Sequence, residues 1–319
     1  MLSKYLTILE KIYNKLFVKF HKIEGCFYKH KTIDKSKRII LYLDYPKFIH
    51  LGDTLWCEPI ARLLAANFNL AICCTAQMEF YFRRLGYTVI SKTLMDPDDI
   101  LIARTELAYH LRNKDVFWIN FDYTKVFQPV INVVLNNVAV YLSLNLNDAQ
   151  PPSLNFSPAE KSFVALKFGI SSEYKYVVLN NYIDSHKFGM KSVELHAADK
   201  ALLRFAQEYK KDAGVKVVHV GTKREKEKDP NHYEIIDLDL RGLTSVEDAF
   251  ILASLDSVVN YIGFDAFWLH LFNIYNKDSY IKLKPGFPWK YNEQVRNYVA
   301  IPYLAGENKV TFIEKETLG

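Results

Sequence analysis

"NDAQPPSLNFSPAEKSFVALKFGIS", residues 147–171, is the stretch on which the fold turns. Pro151-Pro152 breaks any regular element. Shortly afterwards Ser157-Pro158-Ala159-Glu160 opens a helix, with Ser as N-cap, Pro at the first helical position and Glu where a capping box needs it. Short apolar runs alternate with helical patterns on both sides of it. Before it, strand candidates lie at 39–43, 69–74, 87–91 and 116–119, with helical patterns at 54–67, 77–85, 103–113 and 129–140. After it, strand candidates lie at 176–180, 215–220, 234–237, 257–261 and 279–283, with helical patterns at 193–210, 246–254 and 265–274. This βαβ rhythm predicts parallel sheets with helices on both faces. Its restart predicts two Rossmann-like α/β domains, 38–150 and 151–319, facing across a cleft and preceded by an arm, 1–37. Such sheets bind ligands beyond the carboxyl ends of their strands. Gly52-Asp53, Gly221-Thr222-Lys223 and Gly263-Phe264-Asp265 fall at such ends.

The bulk composition excludes several classes. Half of the 319 residues are apolar and 24% are charged, as in a folded soluble protein. Cys26, Cys57, Cys73 and Cys74 form no C-x-x-C pair and no zinc spacing, so they read as free thiols in a reducing compartment. No run approaches the roughly 18 apolar residues of a membrane span, and the N-terminus lacks the apolar core of a signal peptide. A cytoplasmic location is expected. The P-loop, the dinucleotide glycine fingerprint and the serine-hydrolase elbow are absent.

The net charge of +5 is concentrated. Residues 1–38 carry ten Lys/Arg against Glu10, Glu24 and Asp34, which leaves the rest of the chain slightly acidic. Nucleic-acid binders spread basic charge over the folded surface, so no nucleic acid is expected. At helical spacing Leu2, Leu6, Leu9, Ile12, Tyr13, Leu16 and Phe20 share one face, and Lys4, Lys11, Lys15, Lys19 and Lys22 the other. Such a helix has two uses: lying on an anionic membrane surface, or packing on the body of the protein or a second copy.

Read locally, Asp53 is a helix N-cap, with Gly52 permitting the turn. The order of motifs adds to that reading. Leu51-Gly52-Asp53-Thr54-Leu55 with Glu58-Pro59 is similar to a Gly-Asp-x-Leu turn. "VVHVGTKREKE", 217–227, matches a strand-Gly-x-x-x-Glu element. Leu240-Arg241-Gly242-Leu243-Thr244 matches Leu-x-Gly-x-Thr, and Asp265 and His270 have the spacing Asp-x₄-His. With the Pro-containing linker these islands, in this order over residues 38–275, resemble the bacterial lipopolysaccharide core heptosyltransferases, glycosyltransferase family nine, which have the two-domain GT-B fold.

The resemblance implies an inverting sugar transferase. Its donor is a nucleotide sugar, an ADP-sugar by preference and heptose above other sugars, and its acceptor a lipopolysaccharide or other glycan or lipid-linked molecule. No cofactor or metal is expected. Asp53 would be the base that takes the acceptor's proton, and His50 is the competing base or an ordinary loop histidine. Ser185, Lys187 and Lys191 would meet the diphosphate, or are solvated loop residues. Gly221, Glu225 and Thr244 would line the nucleotide. Gly263 would offer open backbone, Asp265 would cap a helix or hold sugar hydroxyls, and His270 would reach a phosphate or sit in the core.

The chain departs from the family at three places: Ala266-Phe267 stand where the family has Thr/Ser-Gly, "NNYIDSHKFGMK", 180–191, replaces a His-Pro-Gly stretch, and "DYPKFIH", 44–50, lengthens the loop before Gly52. Asp96-Pro-Asp98 and Asp237-Leu-Asp239 have the spacing of a metal-binding Asp-x-Asp, but the first reads as a turn and the second belongs to the Leu-x-Gly island. Another GT-B enzyme, a nucleotide-sugar epimerase and a non-catalytic glycan binder are the alternatives.

Overall fold

A computed structural model describes residues 33–44, 51–55, 57–104, 116–119, 138–139, 142, 144–145, 152–182, 199–264, 266–282 and 309–313. Residues 1–32 of the arm lie outside the described residues, as do His50, Ser185, Lys187, Lys191 and Asp265; for Asp53 only the backbone is described. The chain divides into two compact units, Met1–Pro152 and Ser153–Gly319.

In unit 1 the elements are β1 (Ile39–Tyr42), α1 (Leu51–Leu55), α2 (Glu58–Ala65), β2 (Leu70–Cys73), α3 (Glu79–Arg84), β3 (Ile100–Arg104) and β4 (Val116–Ile119). The strands are parallel, in the order β2-β1-β3-β4. A parallel bridge from Ile72 to Val89 adds an extended segment outside β2. β1 is central and buried on both faces, which is why it reads as an unbroken apolar run. Ile40 and Tyr42 pack with Ala71, Cys73, Leu101 and Ala103 on one face. Ile60, Ala61 and Leu64 of α2 are buried as well.

Unit 2 contains α4 (Pro158–Phe168), β5 (Tyr176–Asn180), α5 (Lys200–Ala213), β6 (Lys216–His219), α6 (Lys223–Lys228), β7 (Leu238–Asp239), α7 (Val246–Ser254), β8 (Val258–Phe264), α8 (Phe267–Ile274), β9 (Ser279–Lys282) and β10 (Val310–Phe312). Its parallel sheet runs β7-β6-β5-β8-β9-β10. That is the doubly wound order, with the chain reversing direction across the sheet between β5 and β8. Val177, Leu179 and Val217 pack with Leu202 and Ala206 of α5 in its core.

The helix expected after Pro151-Pro152 is present with both halves of its capping box: Ser157 accepts from the Glu160 N–H, and Glu160 accepts from the Ser157 N–H at 2.7 Å. Three expectations are corrected. A helix was expected over 103–113, but Ala103 and Arg104 end β3. Ile100-Leu101-Ile102-Ala103 is buried on both faces, so it shows no two-residue period to mark it as a strand. A strand was expected at 234–237, but Tyr233–Ile236 forms a turn and β7 follows it. Asp53 is not the cap of a helix starting at 54. It is the third residue of α1, and α2 begins separately after Cys57, without a side-chain cap.

Candidate functional site

The carboxyl edge of the unit 2 sheet collects most of the described candidates. At the end of β6, Thr222 caps α6 by accepting from the Glu225 N–H at 3.2 Å, and the Glu225 carboxylate turns back to accept from the Thr222 N–H at 2.6 Å. α6, Lys-Arg-Glu-Lys-Glu-Lys, has no apolar residue and is a helix through this capping box. The carboxylate lies over Gly221, where a β-carbon would run into Glu225 Oε2. A side chain at Gly221 would displace the Glu225 carboxylate from this bond, so the two candidates form one unit.

Gly242 belongs to the same turn. Its N–H donates to the Gly221 carbonyl at 2.8 Å, and its φ is +73°. A β-carbon there would stand 2.8 Å from the Lys223 Cα. The Leu-x-Gly turn and the Gly-x-x-x-Glu element thus lock together through backbone. Thr244 follows, half-buried, just ahead of the Ser245 capping box that starts α7.

Beneath this turn lies Arg241, 3% exposed. Its Nε and Nη2 donate to the Asp239 oxygens, each at 3.0 Å, and Nη1 and Nη2 donate to the carbonyls of Asp229 and Asn231 at 2.7 and 3.2 Å. Tyr233 donates to the Asp229 carboxylate at 2.9 Å. Burial works to raise the Asp239 carboxyl, but the Arg241 hydrogen bonds and charge outweigh it and hold it well below the usual carboxylate range. Of the Asp237–Asp239 pair, Asp237 accepts from Lys210 and from the Val217 N–H, both at 2.7 Å. Asp96 accepts from the Asp98 N–H in its own turn. Among the described residues no group of three His, Cys, Asp or Glu is placed to hold a metal.

At the reversal point, β5 ends at Asn180 and Asn181 follows it. Asn180 donates to the Val220 carbonyl at 3.3 Å. Asn181 Oδ1 lies 2.6 Å from His219 Nε2, which makes Nε2 the protonated ring nitrogen. Burial pushes the His219 imidazole down to about 4, with the Arg241 charge adding to it. Among the described residues, His219 Nδ1 and Asn181 Nδ2 are buried with no partner.

On the β8 side, a β-carbon at Gly263 would run into the Tyr261 hydroxyl and stand 2.7 Å from the Asn180 carbonyl. Tyr261 folds under its own turn and donates to the Phe264 carbonyl at 2.9 Å. The bare side of Gly263 therefore faces protein. His270 is buried in the apolar helix α8, and Phe267 packs edge-on against Phe250 of α7.

In unit 1, strand order reverses between β1 and β3, and just past the end of β1 stands Asp44. Lys92 pairs with it at 2.8 Å and sits 5.3 Å from the centre of the Tyr42 ring. Glu58, at the start of α2, is buried and held by Arg62 at 2.7 Å and Tyr87 at 2.8 Å; burial raises its carboxyl in spite of them.

Asn181, His219, Arg241 and Asp44 were not among the sequence candidates. Asn181 and Asp44 followed apolar runs and His219 interrupted one, which is the only local mark they carry. Arg241 occupied the variable position of Leu-x-Gly.

No family model matches the sequence, and no curated protein does. Solved structures do. A glycosyl transferase family 9 protein from Veillonella parvula superposes with TM-score 0.62 at 12% identity, covering 89% of each chain. E. coli ADP-heptose lps heptosyltransferase II gives TM-score 0.58 at 14% identity over 88% of this chain and 91% of its own. E. coli heptosyltransferase WaaC, solved with ADP-2-deoxy-2-fluoro heptose, gives 0.52 at 10% identity over 87% and 93%. The chain has the GT-B-type α/β fold of these proteins.

Proposed function

We propose that this protein is a glycosyltransferase that moves a sugar from a nucleotide-sugar donor, an ADP-sugar by preference, to a glycan or glycolipid acceptor. The observation that carries the reading is the fold: nearly the whole chain follows heptosyltransferase structures, two of them solved with ADP or an ADP-sugar analogue. Heptose is the favoured sugar, lipopolysaccharide the favoured acceptor, and a cytoplasmic membrane face the favoured place.

Donor chemistry belongs to unit 2. The Gly221–Glu225–Gly242 turn and Thr244 sit at the carboxyl edge where doubly wound sheets bind nucleotides. Ser185, Lys187 and Lys191 lie in the segment leaving β5 and would meet the diphosphate as it departs. Asp265, two residues before α8 in the sequence, and His270, within that helix, would complete the sugar side, with Gly263 setting the path of the chain at the end of β8. Acceptor chemistry belongs to unit 1. Asp53 would take the acceptor's proton as the hydroxyl attacks C1 from the face opposite the diphosphate, which inverts the anomeric centre. His50 is the second candidate base. A metal has no assigned task, so chelation with EDTA should leave the rate unchanged.

Thermal unfolding with ADP, UDP and GDP tests the donor half. A selective upward shift of Tm with ADP is expected, and equal shifts or none with all three would sink the ADP-sugar reading. Asp53→Asn tests the base. Asn occupies nearly the same volume but takes no proton, so transfer should fall about 10²–10⁴-fold with ADP affinity kept. A near-wild-type rate would move the role to His50. A glycan binder without turnover is the second reading, favoured by Phe267, which packs on Phe250 where the resembled family has glycine. Any measurable transfer by the wild type rules it out.

A further inference from the structure

Burial separates Asn181 and His219 from any direct ligand role. Asn181 is 0% exposed and His219 1% exposed, so neither reaches a nucleotide without breaking the sheet edge. Their bonds nevertheless form a brace. His219, ending β6, holds the Asn181 side chain at 2.6 Å. The Asn181 carbonyl accepts from the Asp199 N–H at 2.8 Å. Asp199 Oδ1 accepts from the Ala201 and Leu202 N–H groups at 2.9 and 3.0 Å, which caps α5. Its Oδ2 accepts from Lys282, at the end of β9, at 2.6 Å. Because β8 lies between β5 and β9, the brace links the strands on both sides of it, across the point where strand order reverses.

We infer that Asn181, seated by His219 and by the Asp199–Lys282 ion pair, is a positioning residue for nucleotide-sugar binding at the carboxyl edge of unit 2. The inference rests on the donor-binding reading of that unit. The brace does two things. It fixes the ends of β5, β6 and β9 and the N-terminus of α5 relative to one another, so that the carboxyl edge is set before a ligand arrives. It also leaves the imidazole and amide with unmatched polar atoms, a local cost that packing alone does not explain.

The test uses the full chain and ADP as the probe. Calorimetric Kd is measured for wild type, Asn181→Ala, Lys282→Met, His219→Ala, His219→Gln and the control Ile251→Val on α7, with Tm alongside. Hydrogen exchange is read at the amides of Asp199–Leu202. Asn181→Ala and Lys282→Met are expected to weaken ADP about tenfold or more and to speed exchange at Asp199. His219→Gln, which keeps an amide N–H near the place of Nε2, should bind ADP more tightly than His219→Ala. Ile251→Val should lose Tm without losing ADP. ADP affinities within twofold of wild type for Asn181→Ala and Lys282→Met would overturn the inference. So would a loss of affinity that merely follows Tm, control included. A wild type that binds no nucleotide would overturn the donor reading instead. Exchange at Asp199 then decides the brace by itself: unchanged rates in Asn181→Ala would mean that it does not exist.

Discussion

Arg241 is the side chain on which the unit 2 edge leans hardest. It is 3% exposed and answers two carboxylates and two backbone carbonyls. Removing a buried charge from its partners costs more than the pair contributes, because the partners stay behind. Arg241→Met should therefore lower the unfolding free energy by about 3–5 kcal/mol, read from urea denaturation. A loss under about 1 kcal/mol would mean that water replaces the guanidinium at no cost. His219 makes a pH prediction. Its imidazole is held down at about 4 when folded, by burial first and the Arg241 charge second, against 6.5 when free. Between those values the unfolded chain takes up the proton and the folded one does not. Stability from this group is thus complete above about pH 6.5 and lost as pH falls towards 4. The loss is on the order of 3 kcal/mol, and His219→Gln should flatten that part of the stability curve. A variant with the same acid limb as wild type would refute the assignment.

At the scale of elements, turns rather than helices decide where the candidates go. Gly242 has φ +73°, and its missing side chain leaves room for the Lys223 backbone. Gly242→Ala meets both a left-handed backbone and a 2.8 Å contact with a main-chain carbon, which has no rotamer to yield. A cost of about 2 kcal/mol or more is expected, together with weaker ADP binding, since α6 must shift. Unchanged urea midpoint and ADP Kd would show that the turn relaxes freely. α6 and β3 teach opposite lessons. "KREKEK" shows no apolar period, yet it folds as a helix because the Thr222 capping box satisfies its first N–H groups. "ILIAR" has ample apolar residues, yet its element type came from pairing with β1 on one side and β4 on the other.

Over the whole molecule, the charge concentrated in residues 1–38 is the feature with a testable use. Deleting residues 1–30 should weaken binding to anionic vesicles while ADP affinity and the unfolding of the body stay as they were. Full retention of vesicle binding would exclude the arm as the membrane contact, and an altered oligomer size would favour packing instead. The sequence by itself determined the alternation of strands and helices and the helix start at Ser157-Pro158. Each of these rests on interactions within a few residues: a capping box, a missing N–H, an apolar run of strand length. It also carried the order of motifs that resembles the heptosyltransferases, and the solved structures share that fold. Only the tertiary structure decided that β5 and β8 lie side by side, that Glu225 fills the space over Gly221, and that Asn181, His219, Asp199 and Lys282 meet. Those contacts join residues that neighbouring positions in the chain cannot specify, since which strand pairs with which depends on how the whole sheet buries both its faces.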